Sequence, residues 1–448
     1  MMFIATLGAT PSMAQIGEGL VSEGQISENL ASQQLLARII SLEEELASLR
    51  TAVQQSTQNA AIAREKADIA VATVTKVETK IVKVEKKAKS ATYSGSESDA
   101  KWHLAGYADV GFVGSNNASG NDSFVTGKFN PGFHFQYKDL LMFESELEFV
   151  TNSDGETTTE LEYSQINLFL NDYATLVVGK FLSPIGQFQE RLHPSWINKI
   201  QGAPAGFGHD GLQPTSDTGI QLRGSLPVGE TRLAYTLMMG NGPRLTSESA
   251  VDTEGTGRDD NSNKSFGGRL GYFPTPNIEI GGSFLTAKVN SYMDPAAGLP
   301  FVPTGPTDSR YKLWGVDGAY TKGAIAARFE YLNSTRASLF TVTDDEPLGE
   351  IVPTLDMEAW YGQISYRLSN VGGSDFIKRL EPVIRYGQFR INGQDELAEE
   401  NAQNRFNIGL NYWLSPTIVT KAGLEWRNSI VAGVDSETRY QFQVSYGF

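Results

Sequence analysis

The chain has 448 residues, a formal net charge of −15 from 52 acidic and 37 basic residues, and no cysteine. The acidic balance argues against nucleic acid as a partner, and the lack of cysteine removes thiol catalysis and Cys-ligated zinc. The four histidines, His103, His134, His193 and His209, form neither an HxxxH nor an HExxH pair, so no metal, cofactor or catalytic residue is expected.

Residues 1–14 read as the remnant of a signal peptide. MFIATLGA is a short apolar core, and Ser12 and Ala14 are the small residues a signal peptidase needs before Gln15. After an N-terminal segment over 15–34 comes a stalk over 35–89, with an unbroken heptad pattern from 35 to 88. One seam position holds Ile39, Leu46, Val53, Ala60, Ala67, Val74, Ile81 and Ala88, and the other runs from Leu35 to Val84 with Ser56 as its single polar member. A seam sustained over about eight heptads predicts a coiled-coil stalk on the order of 80 Å long. β-branched residues at both seam positions near its end (Val74, Val77, Ile81, Val84) favour three strands. The Lys80–Lys89 run reads as a solvated helix end, with anionic headgroups as the alternative. A polar linker, 90–100, follows.

From 101 to 448 the pattern changes to segments of about ten residues with alternating apolar and polar side chains. The predicted strands are 101–114, 123–137, 141–152, 159–170, 174–181, 217–225, 231–240 and 264–273, then 277–289, 310–320, 324–336, 357–368, 379–392, 402–413, 418–429 and 437–448. Short connections such as YKDL, NDYA, PVGE and LSPT alternate with long polar ones, the longest being 182–216. No run of 18 apolar residues follows the N-terminus, so no transmembrane helix is expected. The implied fold is an all-β transmembrane barrel of about 16 antiparallel strands, preceded by an α-helical coiled coil, in the outer membrane of a Gram-negative bacterium with the stalk in the periplasm. Phe133, Phe135, Phe329, Tyr331, Ile408 and Leu410 belong to its lipid face.

Because the side-chain period is two, register assigns each charge to one face. Lys180, Arg223, Arg269, Arg328, Arg385, Arg405, Lys421 and Arg427 should line the lumen, beside an acidic row of Glu144, Glu146 and Glu148. Rings of Arg or Lys select anions in pores. The alternative is that these charges pair across the wall and keep the interior wet, as Arg328–Glu330 and Glu425–Arg427 suggest. The loop 182–216 holds Phe188, Trp196, Ile197 and Phe207, too many apolar residues for a disordered flap, so it should fold inward. Arg191, His193, Trp196 and Lys199 then form a constriction, with His193 and His209 engaged in loop-packing hydrogen bonds.

VVGKFLSPIGQFQERLHPSWINK at 177–199, EPVIRYGQF at 381–389, NIGLNYWLSPTIVTKAGLEW at 407–426 and the terminal YQFQVSYGF resemble the phosphate-selective porin O and P family. The resemblance implies a trimeric 16-stranded pore, with its third external loop inside each barrel, for passive diffusion of anions or small organic acids. That family's lysine-rich constriction is reduced here to Lys199, Arg191 and Lys180. The expected function is therefore an outer-membrane porin with a weak preference for anions. Its partners would be membrane lipid, two further copies of the chain and small anionic or neutral solutes. The alternative is an envelope tether whose stalk reaches peptidoglycan. A barrel hydrolase is disfavoured, because His103 and His134 both face the lumen in this register.

Overall fold

The computed structural model describes residues 99–117, 122–209, 211–246, 250–252, 254, 257–291, 306–341 and 349–448, with Arg50. The signal peptide, the N-terminal segment, the stalk apart from Arg50 and most of the linker lie outside the described residues. The first eleven strands are β1 (Ala100–Ser115), β2 (Ser123–Tyr137), β3 (Leu141–Thr151), β4 (Thr157–Asn171), β5 (Ala174–Leu182), β6 (Ser216–Val228), β7 (Thr231–Gly240), β8 (Ser265–Thr275), β9 (Ile278–Asn290), β10 (Asp308–Lys322) and β11 (Ile325–Arg336). A small hairpin of β12 (Leu339–Thr341) and β13 (Glu350–Val352) stands apart. The wall resumes with β14 (Leu355–Tyr366), β15 (Leu380–Asn392), β16 (Gln403–Ser415), β17 (Ile418–Ser429) and β18 (Glu437–Gly447).

Sixteen of these strands close into one antiparallel barrel, with β11 beside β14 and β18 beside β1. The seam runs from Tyr107↔Gly447 to Ser115↔Arg439. The last residue completes it: Gly106 N donates to Phe448 O at 3.0 Å, and Phe448 N donates to Gly106 O at 2.9 Å. Closure matters because an unpaired backbone group costs several kcal/mol in hydrocarbon, and a closed barrel leaves no edge.

Alternation drives each strand to show one face outward. In β10, Ser309, Tyr311, Leu313 and Asp317 are buried, while Arg310, Lys312, Trp314 and Val316 are exposed. Phe133, Phe329, Ile364, Ile408 and Leu410 likewise stand on the outer surface, where lipid replaces water. The strands fall within three residues of the predicted bounds, the largest difference being the end of β6 at Val228. The inner face departs from expectation. It is polar in places only: Leu285, Tyr311, Leu313, Leu332, Ala359 and Phe389 point inward and are buried. They belong to a core cluster that also contains Phe181 of β5 and Ile185, Phe188, Phe207 and Leu212 from the β5–β6 connection. Part of the barrel therefore encloses packed side chains.

Candidate functional site

The β5–β6 connection, the third external loop, turns into the barrel as its apolar residues require. Ile185, Phe188 and Leu212 are buried there, and the Phe207 ring meets Tyr361 edge-on at 5.1 Å between centroids. Phe188–Leu192 make one π-helical turn. Two close approaches depend on glycine. At Gly186, with φ +69°, a Cβ would stand 1.9 Å from Glu330 Oε1, so its absence lets that carboxylate accept from Gln187 N at 3.1 Å. At Gly447 a Cβ would stand 2.6 Å from the Trp196 ring, which lies over that glycine on β18.

The wall from β8 to β18 holds the loop with cations. Arg385 Nη2 donates to Gly202 O at 3.1 Å, and its Nη1 reaches Asn198 Oδ1 at 3.4 Å. Arg405 Nη1 donates to Ala203 O at 2.9 Å. Lys421 Nζ donates to Asn198 O at 2.7 Å and also to Ser195 O. Arg328 Nη1 reaches Gln187 Oε1 at 3.3 Å. Arg269 is buried between Asp317, at 2.9 Å from its Nε, and Glu279, at 2.8 Å from its Nη2. The loop returns two cations to the wall: Arg191 Nη1 donates to Glu279 Oε1 at 2.9 Å, and Lys199 Nζ donates to Glu381 Oε1 at 2.5 Å and Ser365 Oγ at 2.7 Å. Arg385 and Lys421 are each about 1% exposed, so they serve the loop before they serve any solute.

The opposite wall meets the loop more loosely. His193 Nδ1 lies 2.5 Å from Gln189 O within the loop, and its Nε2 stands 3.8 Å from Glu146 Oε1. Glu190 is 3.6 Å from Arg223, which also donates to Asn167 Oδ1 at 2.8 Å. Glu146 and Glu148 are held under the surface by Asn130, at 2.9 and 3.0 Å, and Lys128 caps Glu148 at 2.6 Å. Glu144 accepts from Asn167 at 2.7 Å. His209 bridges Glu162, at 3.2 Å, and Glu254, at 2.7 Å. Those two hydrogen bonds outweigh burial and raise its pKa from 6.5 to about 10, so both ring nitrogens are donors at neutral pH.

Two cavities flank the loop. One of about 230 Å³ is lined by Glu144, Tyr163, Glu190, His193, Gln221 and Arg223. The other, about 270 Å³, is lined by Gln187, Arg191, Glu279, Asn277 and Arg328. The neighbours Glu190 and Arg191 thus serve different cavities.

One placement corrects the sequence reading. Lys180 does not face the lumen. In β5 the buried residues are Val177 and Phe181, which pack under the loop, and Val178 is exposed on the other side with Lys180. Lys180 donates to Leu161 O at 2.7 Å on that outer face. The partners Lys128, Glu190, Glu279, Glu381 and the Arg439–Glu437 pair were not singled out in the sequence. For the strand residues among them, the same parity that selected the arginines marks the inner face.

No protein-family model matches the sequence, and no curated protein does. Among solved structures, the chain is similar to an anion-selective porin from Comamonas acidovorans, with a TM-score of 0.51 and 14% identity over 78% of this chain and all of that one. The DcaP outer-membrane channel of Acinetobacter baumannii gives 0.48 and 12% over 79% of this chain and 99% of that one. A loop-deleted OmpT of Vibrio cholerae gives 0.49 and 11%, over 78% and 100%. At 14% identity the likeness to the Comamonas porin bears on the fold alone, in agreement with the closed barrel of 16 strands.

Proposed function

We propose that this barrel is an outer-membrane porin of a Gram-negative bacterium through which small hydrophilic solutes diffuse passively, with a weak preference for anions such as phosphate or organic acids. Membership of the phosphate-selective porin O and P family belongs to this reading, on the stretches at 177–199, 381–389 and 407–426. Assembly as a homotrimer and a periplasmic stalk over 35–89 belong to it as well.

One observation carries the anion preference: which partner of the water-facing lumen ion pairs meets water, the buried Arg269–Glu279 pair (4% against 10%) being the exception. Lys128 keeps 33% of its side chain exposed against 6% for Glu148. Lys199 keeps 20% against 4% for Glu381, and Arg427 26% against 2% for Glu425. Arg223–Glu144, Arg191–Glu279, Arg405–Glu425 and Arg439–Glu437 are ordered the same way. At these pairs a solute meets ammonium and guanidinium tips first, with the carboxylates behind them. Pairing keeps the net field small, so the preference is weak and fades as salt rises.

The test is the reversal potential of the purified protein in a planar bilayer under a salt gradient. The expected sign is anion-selective, reduced in Lys128→Gln/Arg427→Gln. A cation-selective sign in the unaltered protein would show that the acidic row dominates and would end the anion reading.

A further inference from the structure

The outer surface of β9 and β10 carries an unusual cluster of charge. Lys288, Arg310 and Lys312 alternate with the buried residues Ala287, Val289, Tyr311 and Leu313, so all three belong to the outward face. Arg310 is paired directly with Lys288, and Lys312 with Thr286. Cross-strand neighbours stand about 5 Å apart at Cβ, and alternate residues of one strand about 6.6 Å apart. Three cations therefore share an area the size of a phosphorylated sugar. Like charges placed directly opposite destabilise a sheet. Here the only acidic partner among the described residues is Asp308, 3.2 Å from Lys288.

Position says what relieves this repulsion. One step along the same face come Phe284 and Trp314, both exposed. The Trp314 Nε1 donates to Asn333 Oδ1 at 3.0 Å, and its ring lies 5.3 Å from that of Tyr331. Aromatic pairs of this kind mark the boundary between hydrocarbon and headgroups. The patch lies beyond them, toward the end where β9 and β10 are joined by the long connection after Asn290, which is the outer end of such a barrel. It thus stands at the headgroup level of the outer leaflet, facing away from the lumen.

We infer that Lys288, Arg310 and Lys312 form a binding site for a phosphate-bearing glycolipid headgroup of the outer leaflet. Arg310 can take a phosphate through two parallel hydrogen bonds, and the lysines supply mobile ammonium donors on either side. The site is separate from solute passage, since none of the three side chains points inward.

Native mass spectrometry of the refolded full chain tests this, using a bisphosphorylated diglucosamine acyl lipid and the same lipid with both phosphates removed. At roughly fivefold per cation, the phosphorylated lipid should bind on the order of a hundredfold more tightly. That advantage should vanish in Lys288→Gln/Arg310→Gln/Lys312→Gln and persist in Lys180→Gln/Arg390→Gln, which removes outward cations elsewhere on the wall. Equal binding of the two lipids would overturn the site, as would a triple variant that binds like the unaltered chain. Displacement of the lipid by millimolar inorganic phosphate would show a free-anion site instead and would also overturn it.

Discussion

The two halves of the barrel wall treat the same loop differently. From β8 to β18 the wall grips it with short, direct hydrogen bonds: Arg385 to Gly202 O at 3.1 Å, Arg405 to Ala203 O at 2.9 Å and Lys421 to Asn198 O at 2.7 Å. Beneath these lies an apolar patch that includes Leu332, Ala359 and Phe389. From β1 to β6 the polar contacts with the loop are longer, ion contacts of 3.8 Å at Glu146, 3.6 Å at Arg223 and 3.2 Å at Glu162, while Val177 and Phe181 of β5 pack beneath it. One wall is a mount, and the other holds the loop through longer polar contacts across the cavity of about 230 Å³. A basic row can therefore be structural even where its charge suggests a filter, because a cation bonded to backbone carbonyls inside a packed interface has little field left for solutes.

Breaking the mount should give the largest effect. Arg385→Met removes a charged donor and leaves the Gly202 carbonyl short of a partner, a loss of about 1.5–3 kcal/mol. Urea unfolding in lipid vesicles would measure it. The loop should become open to protease within 183–215, and single-channel current should turn noisy. Glu146→Gln, on the opposite wall, should cost clearly less, since Asn130 still has an oxygen to donate to and the His193 contact is long. Equal losses for the two variants would remove the distinction between the two walls.

The bridge at His209 comes next, and it depends on pH. Its pKa is 6.5 ordinarily and about 10 here. A raised pKa means that the protonated form favours the folded loop. The stabilisation is complete below about 6.5 and is lost as pH climbs through about 10. Protease access to the loop should therefore grow between pH 7 and 10.5. The change should be absent in His209→Gln and reduced in Glu254→Gln, where Glu162 remains. An unaltered chain whose loop is equally protected across that range would show that the bridge is not what tethers this end.

Selectivity offers a finer probe, because one pair should give opposite signs. Lys128→Gln strips the exposed cation and leaves Glu148 behind it, so anion preference should fall. Glu148→Gln leaves Lys128 facing water with no counter-charge, so anion preference should rise. One charge, screened over a Debye length of about 8 Å, should move the permeability ratio by about twofold. Shifts in the same direction would mean that solutes do not sample the order of charges at this wall.

Much of this architecture is legible in the residues alone. The strands are, because each needs only a period of two, and that period survives even in β18, where Tyr440, Phe442 and Tyr446 all point outward. The inward turn of the loop is legible from Phe188, Trp196 and Phe207, which no exposed loop can leave in water. The grip is not. Arg385 and Lys421 look like any lumen cation until the loop, 183 and 223 residues earlier in sequence, brings carbonyls to them. Nor is the apolar inner patch, since Leu285 or Leu332 facing inward contradicts the rule for a water-filled barrel unless something dry covers it.

Lys180 shows most sharply where the reading fails, and it gives the smallest expected effect. Around it Leu176, Val177 and Val178 are consecutive apolar residues, so β5 has no polar face to announce its register. One face is apolar for lipid and the other for the loop. Lys180→Gln should leave the reversal potential unchanged, because its amine bonds Leu161 O on the outer surface. The contrast lies on the same strand. Thr175 is paired with Arg223 and shares parity with the buried Val177. Thr175→Lys should therefore place a new cation in the lumen and raise anion preference by about the amount that Lys128→Gln lowers it. A shift from Lys180→Gln together with silence from Thr175→Lys would reverse the register of β5 and, with it, the packing of Val177 and Phe181 beneath the loop.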